Sequence, residues 1–256
     1  MVCRRPGPAY GDDGAVLDPL TVAACQPPVA VRDVCANVAT HAEAVRRAGA
    51  RLVAFPELSL TGYDLEADPV DVDDPALLPL VEACAGVGTV ALVGAPVRTA
   101  AGVEHVATLR VDADGVGVAY LKTHLGGAEA RRFAPGPGAA VTVVDGHRVA
   151  LGICRDTGVA AHVRDVAAVG PDLYVAGLVH QPDELDEQRA RAVRIARATG
   201  APVVFASCAG PGGPSYPATA GHSGVHAADG TVLDEVDAEP GAIARATLAG
   251  LGRGAG

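Results

Sequence analysis

The sequence predicts a single α/β domain whose helices cover sheets that are not purely parallel. Three observations carry this. Short, Val-rich apolar runs alternate with longer stretches in which apolar residues recur at helical spacing. "RVDADGVGVAY" joins two alternating runs through Asp-Gly, a tight connection that only antiparallel neighbours use. Between residues 19 and 250 no linker or repeat divides the chain. At 256 residues and 49% hydrophobic, it has ample core material, and with 3% aromatics Val, Leu and Ala must fill that core.

Residues 1–18, rich in Pro, Gly and Asp, read as a flexible N-terminal extension. A strand over 20–25 follows. A helix over 32–48 carries Val34, Val38, Ala42 and Val45 on one face, and Gly49 stops it. The apolar run 51–55 is a strand that gives way to Pro56-Glu57. A helix over 76–86 precedes strands at 89–95, 104–111 and 116–122. Strands at 141–145 and 148–153 lead to a helix over 158–169 and a strand at 172–176. In the helix over 183–199, Leu185, Ala192, Val193 and Ala196 form an apolar stripe among Arg and Glu. Strands at 202–207, 222–227, 231–236 and 242–248 complete the domain, with a Gly/Pro loop at 209–221. The tail over 251–256 again reads as flexible.

Charge and cysteines narrow the function. The net charge is −10 with no Lys/Arg cluster, which argues against nucleic acid as a partner. Six irregularly spaced cysteines with no Cys-x-x-Cys suggest neither a disulfide scaffold nor a zinc site. No secretory h-region and no apolar run of membrane-spanning length is evident, so a cytoplasmic protein with reduced thiols and no membrane partner is expected.

Three strand ends offer chemistry: Glu57 after "LVAF", Lys122 in "VGVAYLKTHL" and Cys154 in "HRVALGICRD". Each alone has a plain structural reading, as a solvated carboxylate, an edge-guarding lysine and a small core filler. Together they are a complete kit: a base for a thiol, the thiol, and a cation for an oxyanion.

From Thr21 to Leu248 the sequence resembles the nitrilase-related carbon–nitrogen hydrolases, on its amidase-type side. "LVAFPELSLTGY" matches the motif of the family's catalytic Glu at Glu57. "YLKTHLGGAEARRFAPG" matches its catalytic Lys at Lys122 and an auxiliary Glu at Glu129, followed by Phe133 and Pro135-Gly136. The strand-to-turn elbow places the nucleophile at Cys154. "RDVAAVGPDLYV" and "GHSGVHAADGTVL" look like later family segments. The resemblance implies a four-layer αββα sandwich, with the site at one end of two sheets. It also implies a homodimer or higher homo-oligomer and no cofactor or metal.

The implied reaction is thiol amidohydrolysis of a small linear amide or carbamoyl compound, cleaving a non-peptide C–N bond through a thioester. Glu57 acts as base and acid. Lys122 and the Arg155 backbone N–H meet the oxyanion, and Glu129 orients Lys122 or the substrate nitrogen. Enclosure is expected to raise the Glu57 pKa, with Lys122 opposing. "KTHLGGAE" lacks the signature of a true nitrilase. An amide-forming acyltransferase using the same site and a non-catalytic member of the fold are the alternatives. The sequence departs from the family at Arg155, where an aromatic is common, at Val159-Ala160-Ala161, at Ala198-Thr199 and at Ser207. The Arg155 side chain has two readings, as a partner for a substrate carboxylate or in a salt bridge with Asp156 or Asp165. His162 and His180 either line the pocket or are satisfied structural residues.

Overall fold

A computed structural model describes residues 17–249 and 251. Residues 1–16 of the expected extension, Cys3 among them, and most of the expected tail lie outside the described residues. The elements in chain order are β1 (Leu20–Cys25), α1 (Val34–Ala48), β2 (Leu52–Ala54), α2 (Leu78–Val87), β3 (Val90–Arg98), β4 (Glu104–Asp112) and β5 (Gly115–Leu121). There follow β6 (Val141–Val144), β7 (His147–Ile153), α3 (Ala160–Val169), β8 (Leu173–Leu178), α4 (Leu185–Thr199) and β9 (Val203–Ser207). The chain closes with β10 (Ala209–Gly210), β11 (Thr219–Ala220), β12 (Gly224–His226), β13 (Val232–Glu235) and β14 (Ile243–Leu248).

Two six-stranded sheets share one pattern. Their orders are β14-β1-β2-β3-β4-β5 and β13-β12-β9-β8-β7-β6. In the first, β1, β2 and β3 run parallel and the flanking strands antiparallel; in the second, β7, β8 and β9 do the same. Strand periodicity builds the layers. Val22, Ala24, Leu52 and Leu92 of the first sheet meet Val149, Leu151, Val175 and Val204 of the second in a central core. The alternate residues Ala23, Val53 and Val93 turn outward onto Val38, Val45 and Leu80 of α1 and α2. On the far side Ala150, Tyr174 and Phe205 meet Val166, Ile195 and Ala196 of α3 and α4. The result is the expected αββα sandwich. Strands covered on both faces explain the unbroken apolar runs that the sequence shows.

Local chemistry fixes the ends. Asp33 caps α1 by accepting from the Ala36 N–H, and Gly49 ends it in the left-handed region at φ 54°. Asp145 and Gly146, both at positive φ, turn β6 into β7 as a two-residue hairpin. One boundary differs from expectation with a consequence for function. The helix expected from 158 begins at 160, because residues 154–158 form a separate 3₁₀ turn and Val159 is extended. The loop expected at 209–221 contains the short β10–β11 pair.

Candidate active site

Glu57 lies in a tight turn directly after β2, and its placement is enforced from three sides. Leu58 adopts φ 51°. A Cβ on Gly94 of β3 would come within 2.3 Å of the Pro56 carbonyl, and one on Gly177 of β8 within 2.8 Å of the Glu57 nitrogen. Only glycine lets a strand of each sheet press so closely on this turn. From α1, Asn37 donates to the Leu60 carbonyl at 2.9 Å, and the His41 Nε2 meets the Ser59 hydroxyl at 2.9 Å.

Lys122 follows β5. Its N–H donates to Val106 and its carbonyl accepts from Gly136. A Cβ on Gly136 would lie 2.1 Å from the Leu121 oxygen, so the Pro-Gly that closes this motif clamps the lysine strand end. The ammonium is buried and donates to Glu57 Oε1 at 2.6 Å and to Glu129 Oε1 at 2.7 Å. Glu129 also accepts from the Tyr63 hydroxyl and the Gly126 N–H. Lys122 is the only lysine in a chain whose other fixed cations are all arginine. An ammonium reaches two carboxylates from a compact point charge, where a planar guanidinium would demand a broader cavity.

One ammonium faces two buried carboxylates, so one negative charge is in surplus. Burial raises the Glu129 pKa, but the Lys122 charge and the hydrogen bonds from Lys122, Gly126 and Tyr63 outweigh it and leave Glu129 below its ordinary value. For Glu57 burial wins: its pKa is driven well up, Lys122 only partly opposing, with the Cys154 and Glu129 charges adding to the rise. Burial pulls Lys122 down, yet the charges of Glu57, Cys154 and Glu129 overcome this and raise it. Glu57 Oε1 is bound to Lys122, whereas Oε2 is buried without a hydrogen-bond partner among the described residues.

Cys154 begins the 3₁₀ turn after β7 at φ 38°, a left-handed conformation that is costly for a residue with a side chain. Its thiol is partly exposed and donates to the Val179 carbonyl at 3.3 Å, just past β8. Arg155 is the second residue of that turn, where by position the N–H has no partner inside the turn. Three other thiols, those of Cys25, Cys84 and Cys208, are buried, whereas Cys35 is exposed. Burial pushes Cys25 and Cys84 up to about 12 and Cys208 up to about 11. Tyr216, on the β10–β11 loop, packs edge-on against Tyr63 at 4.7 Å between ring centroids. Tyr63 in turn donates to Glu129, so this contact sets the loop beside the buried charges, and burial together with the Cys154 and Glu57 charges raises the Tyr216 pKa.

The structure joins Glu57, Lys122 and Glu129 by hydrogen bonds and places Cys154 within electrostatic reach of them. The Arg155 side chain is exposed and makes neither expected salt bridge among the described residues. It lines an open groove of about 560 Å³ with His124, Phe133 and Val159. Asp156 is unavailable to Arg155 because it is fully buried and takes four other donors, from Tyr120, Ile153 and His124. His162 meets the Tyr174 hydroxyl, and His180 meets Gln188 and Arg191, so both are satisfied structural residues. His124, Asp156 and His162 bring three metal-capable atoms within 4.8 Å of one another, but the Asp156 oxygens and the His162 Nε2 are engaged in the hydrogen bonds just described. A separate concavity of about 660 Å³ lies at the opposite end of β8 and β9, beside Pro171 and Pro202.

The comparisons with known proteins bear on this geometry. A sequence model described as carbon–nitrogen hydrolase matches residues 21–251. The chain belongs to the carbon–nitrogen hydrolase family. It is 35% identical over 143 residues to the glutamine-dependent NAD(+) synthetase of Mycobacterium bovis, an alignment that covers 51% of this chain and 21% of that protein. The chain therefore spans only about a fifth of that relative. In fold it is similar to XC1258 from Xanthomonas campestris, a CN-hydrolase superfamily protein with an arsenic adduct in its active site, at TM-score 0.80, 20% identity and 91% coverage of each chain. It is also similar to a mutant of the amidase from Nesterenkonia sp. AN1 in complex with butyramide, at TM-score 0.77, 26% identity, and coverage of 90% of this chain and 91% of that one. Another structure of that amidase, 25% identical with TM-score 0.78 and 90% coverage of each chain, carries the acetamide moiety of fluoroacetamide on its active-site cysteine.

Sequence reasoning passed over Tyr63, Tyr216, Gly94 and Gly177, and weighed Asp156 only as a partner for Arg155. Signals existed for some. Gly94 and Gly177 interrupt Val-rich strands, a mark of close backbone approach, and the solitary lysine stood out in an arginine-rich chain.

Proposed function

We propose that this family member is a thiol amidohydrolase acting on a small linear amide or carbamoyl compound, with Cys154 as nucleophile. The observation that carries the reading is the free Oε2 of Glu57. It belongs to a carboxylate already tethered by Lys122, raised by burial, and in electrostatic reach of the Cys154 thiol. A carboxylate so raised holds a proton more readily than an ordinary one and can return it.

In the first half-reaction, Oε2 takes the thiol proton and the sulfur bonds to the amide carbon. The carbonyl oxygen gains the negative charge, which the Lys122 ammonium and the Arg155 N–H stabilise. Glu57 returns the proton to the nitrogen, the C–N bond breaks, and ammonia or an amine departs from a thioester. In the second, Glu57 deprotonates water, the hydroxide adds to the thioester, and the proton goes back to sulfur as the acid leaves. Glu129 holds Lys122 throughout. The relatives support the substrate class: one amidase is seen with butyramide, another relative depends on glutamine, and both are small linear amides.

The test is ammonia release from butyramide, glutamine, a carbamoyl compound and a nitrile matched to butyramide, with and without hydroxylamine. Turnover of an amide or carbamoyl compound above the nitrile is expected, and hydroxamate as the main product would mark an acyltransferase instead. Cys154→Ala should lower turnover about 10⁴-fold or more with the melting temperature unchanged within about 2 °C. Turnover surviving that substitution would overturn the mechanism. A two-fold homodimer is carried forward as part of the proposal, with light scattering as its check.

A further inference from the structure

Asp156 occupies an unusual place between the catalytic residues. It is fully buried, and both its oxygens are used twice. Oδ2 accepts from the Ile153 N–H at 3.1 Å and from the Tyr120 hydroxyl at 2.9 Å. Oδ1 accepts from the His124 N–H at 2.8 Å and from His124 Nδ1 at 3.0 Å. Ile153 immediately precedes Cys154 on the second sheet. Tyr120 and His124 stand two residues before and two residues after Lys122 on the first. One carboxylate therefore bonds to the chain beside the thiol and on both sides of the ammonium.

Capping the 3₁₀ turn would need only the bond from Ile153. The other three bonds come from the lysine segment and do nothing for the turn itself. They do fix one strand end against the other across the junction of the two sheets. Tyr120 is braced in addition by the Thr123 hydroxyl at 3.0 Å. Sheets packed through apolar side chains can slide by tenths of an ångström, and a misplacement near 1 Å costs about 10²-fold in rate. A buried carboxylate with four donors in fixed directions resists that slide.

We infer that Asp156 is a positioning residue, which sets the separation of the Lys122 ammonium from the Cys154 sulfur by linking their two strand ends. This rests on the proposed roles of Cys154 and Lys122. It touches neither substrate nor reacting atoms, so its signature is a loss in kcat with KM retained, together with slower chemistry at the thiol itself.

Asp156→Asn keeps the volume but presents an NH₂ where one pair of donors needs an acceptor. The measurement is kcat and KM on the best amide from the panel, the rate at which iodoacetamide alkylates the Cys154 peptide by mass spectrometry, and the melting temperature. The expected result is a fall of about 10²-fold in kcat with KM within about 3-fold, and alkylation about 10-fold slower. Tyr120→Phe removes one donor and should lose about 5-fold in kcat, which keeps the test available if Asp156→Asn fails to fold. Tyr174→Phe breaks the neighbouring bond to His162 and serves as the control, expected to melt earlier with kcat unchanged. Wild-type kcat and alkylation in both Asp156→Asn and Tyr120→Phe, or losses matched by Tyr174→Phe at an equal drop in melting temperature, would overturn the inference. If the wild-type protein turns over no amide, the proposed function fails, and the alkylation rates alone decide the role of Asp156.

Discussion

Two buried polar clusters sit side by side at the junction of the sheets, and they are built on opposite principles. Around Asp156 one carboxylate receives four donors and nothing is left over. Around Lys122 one ammonium serves two carboxylates, and Glu57 Oε2 has no partner among the described residues. Satisfaction gives stiffness, whereas a deliberate shortfall gives a group whose protonation state can change. Both clusters are costly to bury, but only in the second does a buried oxygen go without a partner among the described residues. Each depends on the other, since a surplus carboxylate is useful only if its geometry is held.

Charge substitutions break this comparison most directly. Lys122→Met leaves two buried carboxylates with no cation, and should destabilise the fold by about 3–5 kcal/mol and abolish turnover. Glu57→Gln removes the surplus charge instead. It should lower turnover by about 10²–10⁴-fold while leaving stability unchanged or slightly higher. Denaturant melts of the two variants check this, and a Glu57→Gln loss as large as that of Lys122→Met would refute the surplus.

Acidification tests the support beneath Glu57. Burial lowers the His41 pKa to about 4, the hydrogen bond to the Asn37 carbonyl opposing. The unfolded chain binds this proton near pH 6.5 and the folded one does not until about pH 4. The contribution of neutral His41 to stability is therefore full above pH 6.5 and is lost as pH falls toward 4, by roughly 3 kcal/mol at the low end. In His41→Gln that slope should flatten between pH 6.5 and 4, read from denaturation midpoints across that range.

The smallest expected effect is steric. Gly177→Ala would press a methyl onto the Phe55 carbonyl at 2.7 Å and the Glu57 nitrogen at 2.8 Å, whereas Gly117→Ala meets nothing within 4 Å. The first should cost about 1–3 kcal/mol and more than 10-fold in turnover. The second should leave turnover unchanged. Equal behaviour of the two in activity assays and melts would show that the Glu57 turn is not held from β8.

The layers, the hairpins and the four chemical side chains were legible in the sequence because each is written locally. Period-two Val and Ala alternation, Asp33 and Gly49 at the ends of α1, and three motifs at strand ends all act within a few residues of themselves. Their meeting was not written locally. Glu57 and Lys122 are 65 residues apart and bond at 2.6 Å only because β2 and β5 lie in one sheet. Asp156 read as a partner for its neighbour Arg155, since sequence ranks candidates by nearness. Folding gave it to Tyr120 and His124 instead, because the second sheet packs that turn against the end of the first. Which buried group is satisfied and which is left without a partner depends on the count of donors that reach it in space, and only the tertiary structure makes that count.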